Sequence, residues 1–223
     1  MGNSSRTLVV GDVHGCREEL ERLLAACALT SSDRVILVGD LVAKGPDSQG
    51  VVELARKLKA LAVLGNHDAH VLKSRGASLV ERKQLRPEHR EVVETLKEAD
   101  WEYLTALPLY LRLTEYMAVV LHAGMRSGLP VEKQDRESLL YLRSVTADGK
   151  PSRSAGEGRP WGSLWRGPEL ALFGHDARRG LQRHPFALGL DTGCVYGGKL
   201  TGVLLPERKL VSVDARKTYF ATG

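Results

Sequence analysis

No apolar run in the sequence approaches the roughly 18 residues that a membrane-crossing helix needs, so a helical membrane span is excluded. No secretory leader is visible either, because the apolar stretch at residues 8–10 is far too short. The opening Met1-Gly2-Asn3-Ser4-Ser5-Arg6 nearly fits a myristoylation signal, but Arg6 stands where Ser or Thr is required. Cysteine is scarce. Cys16, Cys27 and Cys194 are odd in number and match no zinc spacing, which argues against a disulfide framework and a zinc module. They are read as reduced thiols, and the chain as intracellular and cytoplasmic. There is no internal repeat.

What is present is a chain of 223 residues, long enough to bury a core without disulfides or a structural metal. A single domain over residues 1–223 is expected. The formal net charge is +5. A positive field suits a polyanionic substrate. It equally describes a mildly basic solvated surface, and becomes informative only beside a phosphate-chemistry motif.

Apolar runs alternate with amphipathic stretches in the first half. Thr7–Val10 reads as a strand followed by Gly11-Asp12, and residues 34–38 as a strand followed by Gly39-Asp40. Residues 60–64 form a third, ending at Gly65-Asn66. Between them, residues 18–28 carry Leu20, Leu23, Leu24 and Cys27 at the spacing of one helix face, and residues 48–59 repeat the pattern. This β-α-β-α-β order implies parallel strands with right-handed crossovers. Open α/β sheets place ligands at the carboxyl ends of their strands, and all three strands end there in polar residues.

Residues 67–107 read as charged helices, one opened by Pro87 and running through Leu96. The texture then turns to short strands at 109–113, 117–121, 170–173, 187–190, 200–205 and 210–213, with one helix at about 134–142. The expected fold is α/β: two packed mixed β-sheets, a sandwich, flanked by helices. Residues 148–161, rich in Gly, Ser and Pro, are expected to be a long mobile loop.

In Gly11-Asp12-Val13-His14-Gly15, residues i and i+2 of an extended turn point the same way, so Asp12 and His14 can grip one ion. Alone, the pair is as easily a turn aspartate and a surface histidine. In Gly39-Asp40-Leu41-Val42-Ala43-Lys44-Gly45-Pro46 an Asp again ends a strand, and a carboxylate can bridge cations about 3.5–4 Å apart. Lys44 can reach a phosphate as a point charge, or is a solvated turn lysine. Gly65-Asn66-His67-Asp68 supplies a neutral oxygen ligand, Asn66, and next to it His67, suited to proton transfer. The alternative is a capping Asn and an exposed His.

His122 in Leu121-His122-Ala123-Gly124 and His175 in Phe173-Gly174-His175-Asp176 also follow apolar strands beside glycine. Five strand endings of one design form a set of mixed oxygen and nitrogen donors. It suits Mn, Fe, Zn or Co better than Ca. His70, His89 and His184 lie in polar contexts and are read as surface residues.

GDVHG, GDLVAKG, GNHD, HAG and GH, in that order across residues 7–205, resemble the calcineurin-like metallophosphoesterases, in the phosphoprotein-phosphatase-like branch. Within that branch the chain is most similar to the ApaH-like phosphatases, relatives of the symmetrical diadenosine tetraphosphatases. Leu190-Asp191-Thr192-Gly193-Cys194-Val195-Tyr196-Gly197-Gly198 also resembles that subgroup. The resemblance implies one metal on Asp12, His14 and Asp40 and a second on Asp40, Asn66, His122 and His175, with manganese foremost. It further implies a metal-bound hydroxide nucleophile and His67 as the group that protonates the leaving oxygen. Lys44 and Arg143 would bind phosphate, with Arg126 and Arg166 as rivals to Arg143.

The sequence departs from the protein-phosphatase pattern GDxVDRG at Ala43, where an Asp would support the histidine, and at Lys44 in place of Arg. The expected activity is hydrolysis of a phosphoanhydride or phosphomonoester, foremost diadenosine tetraphosphate to ADP. Protein Ser/Thr phosphatase action, or hydrolysis of polyphosphate or capped RNA ends, is the alternative on the same site. A non-catalytic metal-binding module is a third reading, opposed by retention of all six ligands and His67. The implied partner is a phosphorylated small molecule or nucleotide, with neither a membrane nor a stable nucleic-acid partner.

Overall fold

The computed structural model describes residues 6–221. The myristoylation-like stretch Met1–Ser5 lies outside the described residues. In chain order the first half runs β1 (Thr7–Val10), α1 (Arg17–Ala26), β2 (Arg34–Leu37), α2 (Ser48–Lys57) and β3 (Leu61–Ala62). Four short helices follow: α3 (Asn66–Lys73), α4 (Leu79–Gln84), α5 (Pro87–Thr95) and α6 (Glu98–Thr105). The second half contains β4 (Tyr110–Leu113), β5 (Ala118–Leu121), α7 (Arg136–Tyr141), β6 (Ser144–Val145), β7 (Pro151–Ser152) and β8 (Arg159–Pro160). It closes with β9 (Leu170–Phe173), β10 (Gln182–His184), β11 (Ala187–Gly189), β12 (Lys199–Leu205) and β13 (Lys209–Asp214).

Two five-stranded mixed sheets result, ordered β13-β12-β1-β2-β3 and β10-β11-β9-β5-β4. β1, β2 and β3 are parallel, as the crossovers require, and β12 joins β1 antiparallel. In the second sheet β9 is parallel to both β5 and β11.

The two-residue period of the strands assigns each apolar side chain to a layer. Val9, Ile36 and Val38 face across to Ala118, Val120, Leu170 and Leu172, filling the space between the sheets. Leu8, Val10 and Leu37 point the other way, onto Leu20 and Leu23 of α1 and onto Val51, Val52 and Ala55 of α2. On the far side of the second sheet, Val119, Leu121 and Phe173 pack with Met125, Leu139 and Trp161. Strands apolar on both faces are those covered on both faces, and β1, β5 and β9 are fully buried.

The sandwich is as expected; details differ. The third strand shrinks to Leu61–Ala62, because residues 63–65 leave the ladder to reach the site. β10 was not anticipated, since Gln182-Arg183-His184 carries no strand pattern. The stretch at residues 148–161 is not a plain loop: β7 and β8 both pair antiparallel with β6 in a three-stranded sheet. Among the described residues no helix is long and apolar enough to cross a membrane.

Candidate metal centre

Five strand-end turns converge on one cavity of about 360 Å³, lined by Asp12, His14, Asp40, Asn66, His67 and His175 among others. The sixth candidate ligand, His122, is fully buried beneath it. Its Nε2 lies 2.9 Å from Asn66 Oδ1.

The local backbone explains why these turns aim inward. His14, Asp40 and His175 all have positive φ, at 47°, 49° and 69°. Such conformations cost non-glycine residues of order 1–3 kcal/mol each and persist where the surroundings over-determine them. Here the surroundings are close: a Cβ at Gly65 would sit 2.2 Å from Asp40 Oδ1, and one at Gly174 1.9 Å from Asp12 Oδ1. Glycine beside the candidate ligand is thus a steric requirement for the carboxylates to occupy their positions.

Hydrogen bonds fix the orientation of each donor. The backbone N–H of His175 donates to both oxygens of Asp12, at 3.0 and 3.1 Å. The N–H of His67 donates to Asp40 Oδ1 at 2.9 Å. His122 Nδ1 lies 2.9 Å from the Val38 carbonyl and His14 Nδ1 3.2 Å from that of Val42. A carbonyl only accepts, so the ring proton sits on Nδ1 in both, and Nε2 is left as a bare electron pair.

Asp40 faces two ways. Its Oδ2 is 3.4 Å from His14 Nε2 and its Oδ1 is 3.5 Å from His122 Nε2. Potential donors of His14, Asp40 and His67 gather within 4.8 Å of one another, and so do those of Asp12, Asp40 and His122.

The charge balance is that of a site built for cations. Burial raises the Asp12 carboxyl well above its ordinary range, and Asp191 and Asp40 push it further. Burial likewise lifts Asp191 to about 6. Burial acts upward on Asp40 too, yet Asp40 is held below its ordinary range and ionised, with the Lys44 charge and the His67 backbone N–H among the groups that favour the anion. Burial is the main reason that His14, His122 and His175 are held neutral, the form in which imidazole ligates a metal. His175 Nε2 is buried with no hydrogen-bond partner among the described residues. Crowded carboxylates, bare imidazole nitrogens and this orphaned atom together fit divalent cations.

Two cationic side chains frame the cavity. Lys44 Nζ is 3.2 Å from His14 Nε2 and 5.4 Å from the Tyr196 ring centroid. Arg143 is anchored by donating to the carbonyls of Arg153 and His175, both at 3.0 Å. Its rivals stand elsewhere: Arg126 pairs with Asp135 at 4.0 Å, and Arg166 is exposed away from the cavity.

Several residues escaped the sequence reading. Asp68 is completely buried and accepts from the backbone N–H groups of Leu41, Val42 and Gly65, tying the turn after β2 to the start of α3. Its place three residues after Gly65 is a helix-capping position, a signal that was available. Burial first, and then Asp40, raise its carboxyl to about 7. Asp191, Tyr196 and Arg178 also line the cavity. His89 is not a surface residue: it is 3% exposed, with its Nε2 2.9 Å from His67 Nδ1. His70 is exposed as expected, and His184 is half-buried in β10.

Carboxylates and imidazoles collected at the strand ends of two stacked sheets, with fixed cations set over them, define a metal-dependent phosphoester hydrolase. A family model described as calcineurin-like phosphoesterase matches residues 5–182, and the chain belongs to that family, whose members use a binuclear metal centre. Two curated relatives align over nearly the full length of both partners. The bis(5'-nucleosyl)-tetraphosphatase PrpE [asymmetrical] of Oceanobacillus iheyensis is 30% identical over 239 residues, covering 96% of this chain and 94% of its own. The symmetrical bis(5'-nucleosyl)-tetraphosphatase of Dechloromonas aromatica is 30% identical over 271 residues, covering 95% and 97%. A crystal structure described as "a putative diadenosine tetraphosphatase" superposes with a TM-score of 0.85 at 40% identity, over 96% of this chain and 95% of that one.

Proposed function

We propose that the chain, as one domain, hydrolyses the phosphoanhydride chain of dinucleoside polyphosphates, with diadenosine tetraphosphate the leading substrate. The names of the two curated relatives and of the 40% identical structure support this substrate class. The observation that carries the mechanism is the two-way orientation of Asp40. One oxygen faces His14 and the other His122, so one carboxylate serves two clusters. Asp12, His14 and Asp40 would hold one divalent transition metal, and Asp40, Asn66, His122 and His175 the other. Manganese is foremost, with iron, zinc and cobalt compatible with the same donors. When bound, the pair supplies Lewis-acid charge to the phosphoryl group and to the attacking water.

The remaining residues bind and position. Lys44 and Arg143 would neutralise phosphoryl oxygens as charge builds on them. His67, held over Asp40 by its own backbone N–H, would be the donor to the leaving oxygen. A nucleotide leaves as a stabilised phosphate anion and needs less proton assistance than a serine alkoxide. Ala43, in place of a supporting Asp, agrees with that preference. The cysteines are all buried and unpaired, in keeping with action inside the cell.

Product analysis tests the reading. With manganese, diadenosine tetraphosphate is expected to give two ADP. ATP and AMP would move the cut to an outer anhydride, the outcome that the Oceanobacillus name describes. Turnover of phosphopeptide with none of diadenosine tetraphosphate would overturn the substrate class.

Arg178 is exposed at the cavity wall, and among the described residues no ion pair engages it. A free guanidinium there suits the distal phosphates. Arg178→Ala is expected to raise KM for diadenosine tetraphosphate by about tenfold, the worth of one charge-assisted hydrogen bond. KM for p-nitrophenyl phosphate, which has no distal phosphate, should stay within twofold or so.

A further inference from the structure

Position 43 holds alanine, and the support it cannot give His67 comes from His89, 22 residues after His67 in the chain. His89 lies on α5, which packs across α3, and its Nε2 is 2.9 Å from His67 Nδ1. The two rings lie 27° from parallel with centroids 5.1 Å apart. The His70 ring covers His89 from α3, at 4.3 Å between centroids. His89 is 3% exposed, and its Nδ1 is buried with no hydrogen-bond partner among the described residues.

A neutral imidazole carries one N–H. If His89 accepted at Nε2, its own proton would sit on Nδ1, a buried donor without an acceptor. If it donates from Nε2, Nδ1 is left as a bare electron pair. Orphaned buried N–H groups are the rarer of the two defects in proteins. The donating direction is therefore favoured, and it makes His67 Nδ1 an acceptor.

We propose that His89 is the positioning residue for His67: it donates Nε2–H to His67 Nδ1 and so fixes the His67 proton on Nε2, the ring nitrogen left for the cavity. This rests on the reading of His67 as the donor to the leaving oxygen. An aspartate at that place would stabilise an imidazolium able to give its proton away. A histidine instead holds a neutral ring that offers a hydrogen bond. The oxygen of the attacking water bonds to phosphorus and its proton passes to solvent, while the old P–O bond breaks with its electron pair going to the leaving oxygen, which needs no proton to depart when it belongs to a nucleotide phosphate. The pair thus tunes the site to phosphoanhydrides and away from alkyl phosphates.

The test combines tautomer and rate. Long-range ¹⁵N–¹H correlation spectra of the metal-free wild-type chain are expected to show His67 protonated on Nε2 alone. In His89→Phe, which keeps a ring of similar size, that single tautomer is lost, and kcat for diadenosine tetraphosphate falls about tenfold with KM nearly unchanged. In His89→Gln the side-chain amide can donate to Nδ1, and both tautomer and kcat recover to within about threefold of wild type. A wild-type His67 protonated on Nδ1 would overturn the proposal, as would a folded His89→Phe with unchanged tautomer and kcat. Equal losses in Phe and Gln would reduce His89 to a packing residue and also overturn it. Absence of diadenosine tetraphosphate turnover in the wild type would sink the substrate reading instead, and the spectra would still decide the role of His89.

Discussion

Asp40→Asn is expected to lower kcat on diadenosine tetraphosphate by at least about 10³-fold, the scale of losing a preorganised charge interaction in a dry site. The substitution is nearly isosteric. Asn can still accept the His67 N–H bond through one oxygen. What it loses is the second oxygen, which lies 3.4 Å from His14 Nε2, and the negative charge shared by both clusters. An amide NH₂ placed there would repel a cation. Steady-state kinetics with manganese and product identification measure the effect, and circular dichroism checks the fold. Wild-type turnover by Asp40→Asn would remove Asp40 from its proposed bridging place.

The second large effect comes from a residue with no chemistry of its own. Gly174→Ala puts a methyl group where the structure leaves 1.9 Å to Asp12 Oδ1. Asp12 is also held by the His175 backbone N–H, so the carboxylate cannot swing aside without breaking two contacts. The expected result is at least about a 100-fold loss of kcat, consistent with the cost of misplacing catalytic groups by an ångström. Metal affinity should fall in parallel, read by calorimetric titration. Excess manganese should restore part of the activity of Gly174→Ala and none of that of Asp40→Asn, because the first displaces a candidate ligand and the second removes one.

These two positions show how far the sequence alone could go. Asp40 was legible because a strand, a glycine and a carboxylate stand in succession, and five strands along the chain end in a metal-binding residue type with glycine nearby. The two sheets were legible for a related reason: strands buried on both faces read as continuous apolar runs, and the helices carry one apolar stripe. Gly174 was legible only as a neighbour of His175. That its missing Cβ makes room for Asp12, 162 residues earlier, depends on the stacking of β9 against β1, which no local pattern encodes.

His89 is the clearest case of what stayed hidden. It sits in a charged helix, Pro87–Thr95, whose local sequence suggests a solvated face. Only the packing of α5 over α3 turns it inward to His67. Arg143 could be proposed only by likeness, with two rivals. Its support comes from the His175 carbonyl that anchors it, a contact 32 residues apart in sequence. The three-stranded sheet at β6–β8 was missed because strands of two residues leave no periodicity to read. It brings Arg153 to the Arg143 guanidinium, so a segment that reads as a loop helps to hold a cavity arginine.

Asp40 is proposed to join two metal ions in one site. Electron paramagnetic resonance of the manganese-loaded chain, with metal content determined on the same sample, tests it most directly. Two manganese ions per chain with an exchange-coupled spectrum are expected, with loss of that coupling in Asp40→Asn. A single isolated manganese per chain at full catalytic activity would contradict it.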